Sequence, residues 1–267
     1  EGRALLACRP VTGDGLDATI TRLTNTLLAM QRPDGGFAPA FDPATGTVEQ
    51  GKDPLYAAGQ AVLTLVLLEQ AEGLPKPQGL REAVVRAMNY YAGPYWDIPL
   101  RDFFYLEENW HCLAARAALA SHRHDGYERF CIDYMTMKSR LIERPDSGID
   151  ADLVGAYAFG HVLPPHHAAA AGFAEGLAAS IALKVARRED ASAERETMRL
   201  VLGYLLRHQW TDQNCDVCAP GVRVVGGWSE HVASPQIRID FVQHAMAGLF
   251  HGAGTLGLTK GSTRGGA

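Results

Sequence analysis

The sequence predicts an all-α fold made of helical hairpins. Eight segments carry apolar residues at positions i, i+3, i+4 and i+7, which is the period of an amphipathic helix. Strand signals are few, and the one short candidate is residues 222–225 (VRVV). The links between consecutive helices also alternate strictly between long and short.

We predict the eight helices at residues 16–30, 55–70, 80–91, 106–121, 127–142, 166–188, 193–208 and 240–252. The second, fourth and sixth helices contain runs of alanine and glycine, such as residues 168–172, which permit close helix packing. The odd helices carry charge on one face, as at Arg81, Glu82 and Arg86. The pattern predicts an inner layer of even helices and an outer layer of odd ones.

The long links are predicted to gather at one end of the bundle. They cover residues 31–53, 92–105, 143–165 and 209–239, and the links between them are short. Antiparallel neighbouring helices bring every second link to the same end, and long loops in compact domains usually carry function. The first and last long links each begin near a glutamine, Gln31 and Gln209, and contain a Gly-Gly-aromatic triplet. The aromatic ring of each triplet is suited to anchor its loop onto the helix ends, and the alternation predicts a hairpin repeat.

Length and charge limit the classes of protein. The chain has 267 residues with a net charge of −5 and lacks a basic excess, which argues against a nucleic-acid binder. No run of about 18 apolar residues occurs, so we expect no membrane span. We predict an N-terminal extension at 1–13, one helical domain at 14–256 and a flexible tail at 257–267. The first residue is not Met, so a processed chain or a larger parent chain is expected, and a homo-oligomer is an alternative.

Five cysteines, an odd number without a dense framework, argue against a secreted disulfide scaffold. We expect mostly reduced thiols and a cytoplasmic location, with one metal site or one disulfide as the alternatives.

Three segments resemble those of known α/α toroids. Residues 31–37 (QRPDGGF) resemble the Q-x-x-x-G-x-W turn of terpene cyclases, with Phe in place of Trp. Residues 53–60 (DPLYAAGQ) resemble the start of an inner helix in sugar-epimerase-like toroids, and residues 237–244 (IRIDFVQH) resemble a closing inner helix. The resemblance is to the superfamily of N-acylglucosamine 2-epimerase-like, glucuronyl C5-epimerase-like and six-hairpin glycosidase-like enzymes, with terpene cyclase and prenyltransferase toroids more distant. It implies an α/α toroid, incomplete or small, with its long loops at one mouth.

Acids, imidazoles and aromatic rings collect at the predicted mouth. The candidate catalytic residues are Glu107, Glu108, His111, Asp240 and His244. The candidate substrate-binding residues are Asp53, Tyr56, Gln60, Trp110, His166, His167, Trp228 and Arg238. Glycoside cleavage needs two carboxyl groups, and epimerisation needs groups that take and return a proton. The aromatic rings are candidates to stack on a sugar, and Arg238 is a candidate to pair with a substrate carboxylate.

Structural roles remain open for several of these residues. Arg238 and Asp240 suit an ion pair at a helix start. Glu107 and Glu108 suit the first turn of a helix, where the helix dipole favours acids. The pair His166-His167 follows two prolines and is also consistent with a plain helix start.

The spacing C-x-x-C at Cys215 and Cys218 indicates a zinc site as an alternative. His111 and Cys112 are the candidates for the remaining ligands. A disulfide and unliganded thiols are the competing interpretations, so the expected cofactor is either none or zinc.

The leading hypothesis is a carbohydrate-active enzyme: a sugar or uronate epimerase, an isomerase or a glycoside hydrolase. Its expected partner is a small-molecule or polysaccharide substrate. The alternatives are a zinc-dependent toroid of the prenyltransferase or lanthionine-cyclase kind and a non-enzymatic toroid that binds a glycan or a peptide.

Overall fold

The computed structural model describes residues 2–51, 53–54, 56–97, 109–158, 164–215 and 224–258. The chain is 61% helical and 7% strand, which confirms the predicted all-α class. It divides into two compact units, residues 1–131 and residues 132–267. The prediction of a single helical domain at 14–256 stays a prediction.

The first unit contains five helices and one short hairpin among its described residues. The helices are α1 (Gly2–Thr12), α2 (Asp17–Met30), α3 (Ala57–Gln70), α4 (Leu80–Ala92) and α5 (Trp110–Ala118). The hairpin consists of β1 (Ala40–Asp42) and β2 (Thr47–Glu49), paired antiparallel with Phe41 opposite Val48. Helix α6 (Asp125–Lys138) crosses the boundary to the second unit.

The second unit contains α7 (His167–Ala186), α8 (Ser192–Arg207) and α9 (Ile239–Thr255). Its hairpin consists of β3 (Ser229–His231) and β4 (Ser234–Ile237). The strand candidate at 222–225 is wrong where it can be checked, because Val224 and Val225 lie in a loop and a turn. Residues 222 and 223 lie outside the described residues.

All eight predicted helices are present, most with ends within two residues of the prediction. The largest difference is the fourth, predicted at 106–121, which is described as Trp110–Ala118. Helix α1 was not predicted and occupies the expected N-terminal extension, where it contacts α2 and α3. Residues 259–267 of the predicted tail lie outside the described residues.

Inner and outer helices differ in burial as their compositions predict. Helix α3 is buried from Ala58 through Val66 except at Gln60, whereas α4 buries one face. In the second unit α7 is buried almost throughout. Gly248 lets α9 approach α7 closely, because a Cβ atom there would lie 2.9 Å from the Ala171 carbonyl oxygen.

Among the described residues one helix, α7, is long and apolar enough to cross a membrane by length and composition alone. Of its most apolar window, 78% is buried inside the protein. That burial is the environment of a core helix in a folded domain.

The cysteines correct the expectation of mostly reduced thiols. Cys112 of α5 and Cys131 of α6 form a buried disulfide with a Cα–Cα distance of 5.2 Å. Cys215 is disulfide-bonded as well, and Cys8 is an exposed thiol. Disulfides persist mainly in oxidising compartments, so the predicted cytoplasmic location loses the support it took from the cysteine count and stays a prediction.

Candidate functional site

A tight turn follows α2, and we call it turn 1 (Gln31–Phe37). The Arg32 amide donates to the Gly36 carbonyl at 2.8 Å, and the Gly35 amide donates to the Arg32 carbonyl at 3.0 Å. The Gln31 side-chain amide donates to the carbonyls of Gly35 and Ala83 at 3.2 and 2.8 Å. Gly35 has a φ of 103°, which favours glycine. Turn 1 therefore attaches the end of α2 to α4.

The same turn recurs after α8, as turn 3 (Gln209 and Trp210 with Gly226 to Trp228). The Trp210 amide donates to the Gly227 carbonyl at 2.9 Å, and the Gly226 amide donates to the Trp210 carbonyl at 2.7 Å. The Gln209 side chain donates to the Gly226 carbonyl at 3.0 Å, and Gly226 has a φ of 89°. The two Gln and Gly-Gly-aromatic pairs of the sequence are thus one structural motif.

A third copy, turn 2, follows α6 and has no glutamine. The Glu143 amide donates to the Ala156 carbonyl at 2.9 Å, and the Gly155 amide donates to the Glu143 carbonyl at 2.8 Å. Gly155 has a φ of 90°. Sequence reasoning missed this copy, because Ile142 takes the place of the glutamine and Ala156 takes the place of the second glycine before the aromatic residue.

Each turn buries an aromatic ring. Phe37 is 2% exposed, Tyr157 is 0% exposed and Trp228 is 1% exposed. The Trp228 indole N–H donates to the Leu205 carbonyl at 2.7 Å. The prediction that Trp228 stacks on a substrate is therefore wrong, because a ring enclosed by protein has no face to offer. The competing expectation, that the aromatic anchors its loop, is correct.

Asp53 lies behind turn 1. Its carboxylate, 6% exposed, accepts hydrogen bonds from Arg32, from the Tyr91 hydroxyl and from the Phe37 amide. Burial and the neighbouring carboxylate raise the pKa of Tyr91 far above its usual value, so Tyr91 remains a donor. Asp53 holds the turn together, which corrects its predicted role as a substrate ligand.

The other substrate-binding candidates of the first unit lie at helix starts. Tyr56, half-buried directly before α3, has a φ of 63°, a strained conformation for a residue with a side chain. Gln60 is exposed on α3, and Trp110 is half-buried at the first residue of α5. The catalytic candidates Glu107 and Glu108 lie outside the described residues.

His111 is a buried member of an aromatic cluster. Its Nδ1 atom lies 2.7 Å from the Tyr127 hydroxyl, and its ring lies 4.4 Å from the Tyr91 ring. Burial lowers the pKa of His111 to about 3, so the imidazole is neutral near pH 7. Its Nε2 atom is buried without a hydrogen-bond partner in the described structure.

Two metal-ligand predictions are corrected by the disulfides. Cys112 and Cys215 are oxidised, so neither sulfur has a thiolate to give to zinc. Cys218 lies outside the described residues. Among the residues that the structure describes, no three His, Cys, Asp or Glu side chains are grouped to hold a metal ion. Zinc stays a prediction that elemental analysis of the purified protein tests.

The second unit contains a cavity of about 260 Å³, which we call the imidazole pocket. Its lining includes Asp152, His167, Arg207, His208, Trp210 and Ser229. The C-terminal end of α8 and the start of α7 meet there with turn 3 and β3. The structure thus brings the predicted His167 next to His208 and Trp210, which were not predicted.

His167 has a defined tautomer in this pocket. Its Nδ1 atom lies 2.8 Å from the Ser229 carbonyl oxygen, which only accepts, so Nδ1 carries the proton. The Nε2 atom is then an acceptor, and it is buried without a partner in the described part of the chain. Burial lowers the pKa of His167 to about 4, against the hydrogen bond to the Ser229 carbonyl, which raises it; nearby His208, His231 and His166 contribute to the lowering. The imidazole is therefore neutral near pH 7.

Three neighbours complete the pocket. The His208 ring stacks on the His167 ring at 5.0 Å, and its Nε2 atom donates to the Asp152 carbonyl at 2.9 Å. The Trp210 indole Nε1 atom is buried and has no acceptor among the described residues. Arg207 donates through Nη2 to the carbonyl oxygens of Val154 and Asp152. Outside the lining, the predicted His166 lies on the surface with its ring 5.4 Å from the His231 ring.

A second feature of this unit pairs a histidine with a buried acid. The Nδ1 atom of His244, on α9, lies 2.6 Å from the Oε1 atom of Glu175, on α7. The Glu175 side chain is 1% exposed, and the His244 side chain is 21% exposed. An ionised carboxylate only accepts, so His244 donates from Nδ1.

Arg238 and Asp240 form the ion pair that was one of their two interpretations. Two hydrogen bonds of 2.9 and 2.7 Å join the guanidinium to the carboxylate, and both side chains are largely exposed. The Arg238 guanidinium also lies over the Phe241 ring, 4.8 Å from its centroid. The predicted roles of Arg238 and Asp240 in substrate binding and catalysis stay predictions.

No protein-family model, no curated protein and no solved structure matches this chain. His208 and Trp210 were missed because only the starts of the predicted inner helices were considered. These two residues follow the last turn of the outer helix α8. The Gln209-Trp210 dipeptide was the available signal, since it occupies the turn position of Gln31-Arg32.

Proposed function

We propose that the chain is an acid–base enzyme acting on a sugar or uronate, as an epimerase, isomerase or glycoside hydrolase. His244 is the proposed catalytic group. The observation that carries the proposal is the 2.6 Å contact between His244 Nδ1 and Glu175 Oε1.

The cost of burying Glu175 favours a role in chemistry. An ionised carboxylate in an apolar core is costly unless it is paired, and Glu175 lies on α7 among alanine, glycine and leucine residues. A carboxylate that accepts from Nδ1 fixes the imidazole so that the lone pair is on Nε2. That is the arrangement of a histidine prepared to take and return a proton. Glu175 acts through His244 and is therefore a positioning residue.

The sugar class is supported by the resemblance of residues 53–60 and 237–244 to sugar-epimerase-like toroids. The turn that recurs after α2, α6 and α8 supports a hairpin repeat of the kind from which α/α toroids are made. The toroid architecture is part of the proposal.

Turnover is testable with two probes. Proton exchange at carbon in D₂O, followed by NMR on D-glucuronate, reports epimerisation or isomerisation. Release of 4-nitrophenol from 4-nitrophenyl glycosides reports hydrolysis. His244→Ala is expected to lower kcat by a factor of about 10² or more, the usual contribution of a general acid or base. No turnover by the wild type with either probe overturns the sugar assignment.

The role of Glu175 has its own readout. Glu175→Gln keeps the shape of the side chain and removes the charge, so it is expected to lower kcat while leaving KM near its wild-type value. The matched control is Glu196→Gln, an exposed glutamate paired with Arg199 on α8. Equal kcat in Glu175→Gln and Glu196→Gln would contradict the positioning role.

A further inference from the structure

Helix α9 has the composition of an inner helix, yet only one of its sides is buried. From Phe241 to Thr255 the sequence contains no Lys, Arg, Asp or Glu. The outer helix α8, in contrast, carries an exposed ion pair of Glu196 and Arg199. The buried residues of α9 recur at intervals of three and four, which is one side of a helix: Phe241, Ala245, Gly248 and Gly252. The rest of α9 is therefore uncharged without being buried.

The exposed side of α9 carries three large apolar residues. Ile239 is 90% exposed, Met246 is 61% exposed and Phe250 is 70% exposed. Spacings of seven and four residues place the three side chains on one line along the helix. Single exposed apolar residues are ordinary, whereas a contiguous apolar surface marks an interaction site. This side of α9 is thus a candidate surface for a partner.

We propose that this surface joins two copies of the chain, with the two α9 helices antiparallel. We call it the α9 face, and it consists of Ile239, Val242, Gln243, Met246 and Phe250. The proposal goes beyond the proposed function and does not depend on it. His244 is not part of the α9 face, and association is measured without turnover.

The α9 face contains a hole and a side chain that fits it. Ile239, Val242, Gln243 and Met246 lie at i, i+3, i+4 and i+7, the arrangement that receives one side chain from a facing helix. Phe250, four residues beyond Met246, is the side chain that enters the hole. A twofold axis at Met246 makes the two contacts equivalent, because each copy gives its Phe250 to the hole of the other.

The charge of the α9 face favours a second copy over a membrane surface or a charged partner. Helices that lie on membranes carry Lys or Arg beside their apolar side, and the stretch from Phe241 to Thr255 has neither. The nearest charges, Arg238 and Asp240, are paired with each other. Two uncharged faces meet without the like-charge repulsion that opposes wrong partners.

The sequence after α9 does not supply a cover for the face. Residues 259–267 (TKGSTRGGA) contain no Val, Ile, Leu, Met or aromatic residue. The free energy gained on association grows with the apolar area removed from water, so the occupant must bring large apolar side chains. A second copy brings Ile239, Met246 and Phe250.

Sedimentation equilibrium tests whether the chain associates. The 17 residues of α9 make a helix about 25 Å long and about 10 Å wide, and one side of it is smaller than the roughly 800 Å² per partner of a standard interface. We therefore expect a reversible dimer with a Kd of about 1–100 µM. A monomer at every concentration across this range overturns the proposal, and the α9 face then has another occupant or none.

A pair of charge-matched variants locates the interface. Phe250→Glu is expected to raise the Kd by about ten-fold or more, because it brings a charge to an apolar hole. The control Leu206→Glu adds the same charge at a 57% exposed leucine of α8. Its Kd is expected to stay within about two-fold of the wild-type value. An equal Kd in the two variants overturns the assignment to the α9 face.

A mixing experiment tests the antiparallel pairing and does not depend on the stability of one variant. Phe250→Glu and Gln243→Lys are each expected to dimerise more weakly than the wild type. In a mixed pair the new carboxylate at position 250 lies beside the new ammonium at position 243, and the second contact is the wild-type one. The equimolar mixture is expected to associate about ten-fold more tightly than either variant alone. A mixture that associates no more tightly overturns the antiparallel pairing and with it the proposal.

Discussion

Turn 1 and turn 3 have the same backbone hydrogen bonds, yet the residue after the glutamine has opposite roles in the two. In turn 1 this residue is Arg32, whose guanidinium donates to Asp53, to the Phe37 carbonyl and to the Tyr90 hydroxyl. In turn 3 it is Trp210, whose indole N–H has no acceptor among the described residues. The repeat thus provides one scaffold, and the residue after the glutamine is paired with an acid in turn 1 and has a buried N–H without a described acceptor in turn 3.

The turns also differ in what lies beside their first glycine. A Cβ atom at Gly35 would lie 2.3 Å from the Arg86 carbonyl oxygen, and one at Gly155 would lie 2.0 Å from the Leu200 carbonyl oxygen. At Gly226 a Cβ atom would meet nothing within 4 Å. Turns 1 and 2 therefore pack directly on an outer helix, whereas turn 3 has open space beside its glycine.

The largest predicted effect comes from replacing these glycines. Gly155→Ala is expected to lower the free energy of unfolding by about 4 kcal/mol, because a positive φ and a backbone clash combine. Gly35→Ala is expected to behave similarly. Gly226→Ala keeps only the conformational cost of about 1–2 kcal/mol. Urea unfolding of the three variants measures the difference.

These variants are matched, since all three replace a glycine with φ between 89° and 103° by the same residue. Equal losses of unfolding free energy in Gly155→Ala and Gly226→Ala would mean that contact with the outer helix contributes nothing. The proposed difference between turn 2 and turn 3 would then be wrong.

The second expected effect tests whether Asp53 stabilises turn 1. Asp53→Asn keeps the size of the side chain and removes the charge that Arg32 and Tyr91 contact. It is expected to lower the free energy of unfolding by about 2–3 kcal/mol, the range for hydrogen bonds to a charged group. The control is Asp34→Asn in the same turn, where the carboxylate is 53% exposed and only loosely paired with Arg32. A loss of stability no larger than that of the control would place Asp53 outside the structural framework of turn 1.

The outer helices α4 and α8 were predictable from sequence because each buries one apolar face, and that leaves a local period of 3.6 residues. Helix α1 escaped because Pro10 lies inside it and its apolar pattern is short. The hairpins escaped because three-residue strands such as Thr47–Glu49 are too short to show an alternation. Whether a segment forms a helix is thus encoded mainly in its local sequence.

The site was less predictable because it depends on which residues meet in space. The disulfide joins cysteines 19 residues apart on two helices, and no local signal pairs them. The contact of Glu175 with His244 depends on the packing of α9 on α7, which no local signal predicts. Trp228 carried the same Gly-Gly-aromatic signal as Phe37, so its burial was predictable from the motif that had already been noted.

The third expected effect is the pH dependence of stability that two buried imidazoles cause. The folded-state pKa of His167 is about 4 and that of His111 about 3, below the value of about 6.5 expected when unfolded. Between pH 6.5 and these values the unfolded chain binds protons that the folded chain does not, so stability falls as pH falls. At pH 5.5 each imidazole is expected to cost on the order of 1 kcal/mol relative to pH 7.

Urea unfolding at pH 7 and pH 5.5 measures this loss. His167→Asn removes the titrating ring while keeping a donor for the Ser229 carbonyl. The variant is therefore expected to lose less unfolding free energy between pH 7 and pH 5.5 than the wild type. An unchanged loss would show that the pKa of His167 in the folded chain is close to its unfolded value, so that burial does not lower it.

The smallest expected effect comes from a comparison of two arginine–aspartate pairs. Arg32–Asp53 is nearly enclosed, with side chains 17% and 6% exposed, whereas Arg238–Asp240 is open to solvent at 54% and 42%. Exposed pairs contribute about 0–1 kcal/mol because water and salt screen the charges. Asp240→Asn is therefore expected to change the free energy of unfolding by less than about 1 kcal/mol, and 1 M NaCl should remove most of that change. A loss as large as that of Asp53→Asn would mean that Asp240 is held in a desolvated site, and its predicted place near the substrate would then gain support.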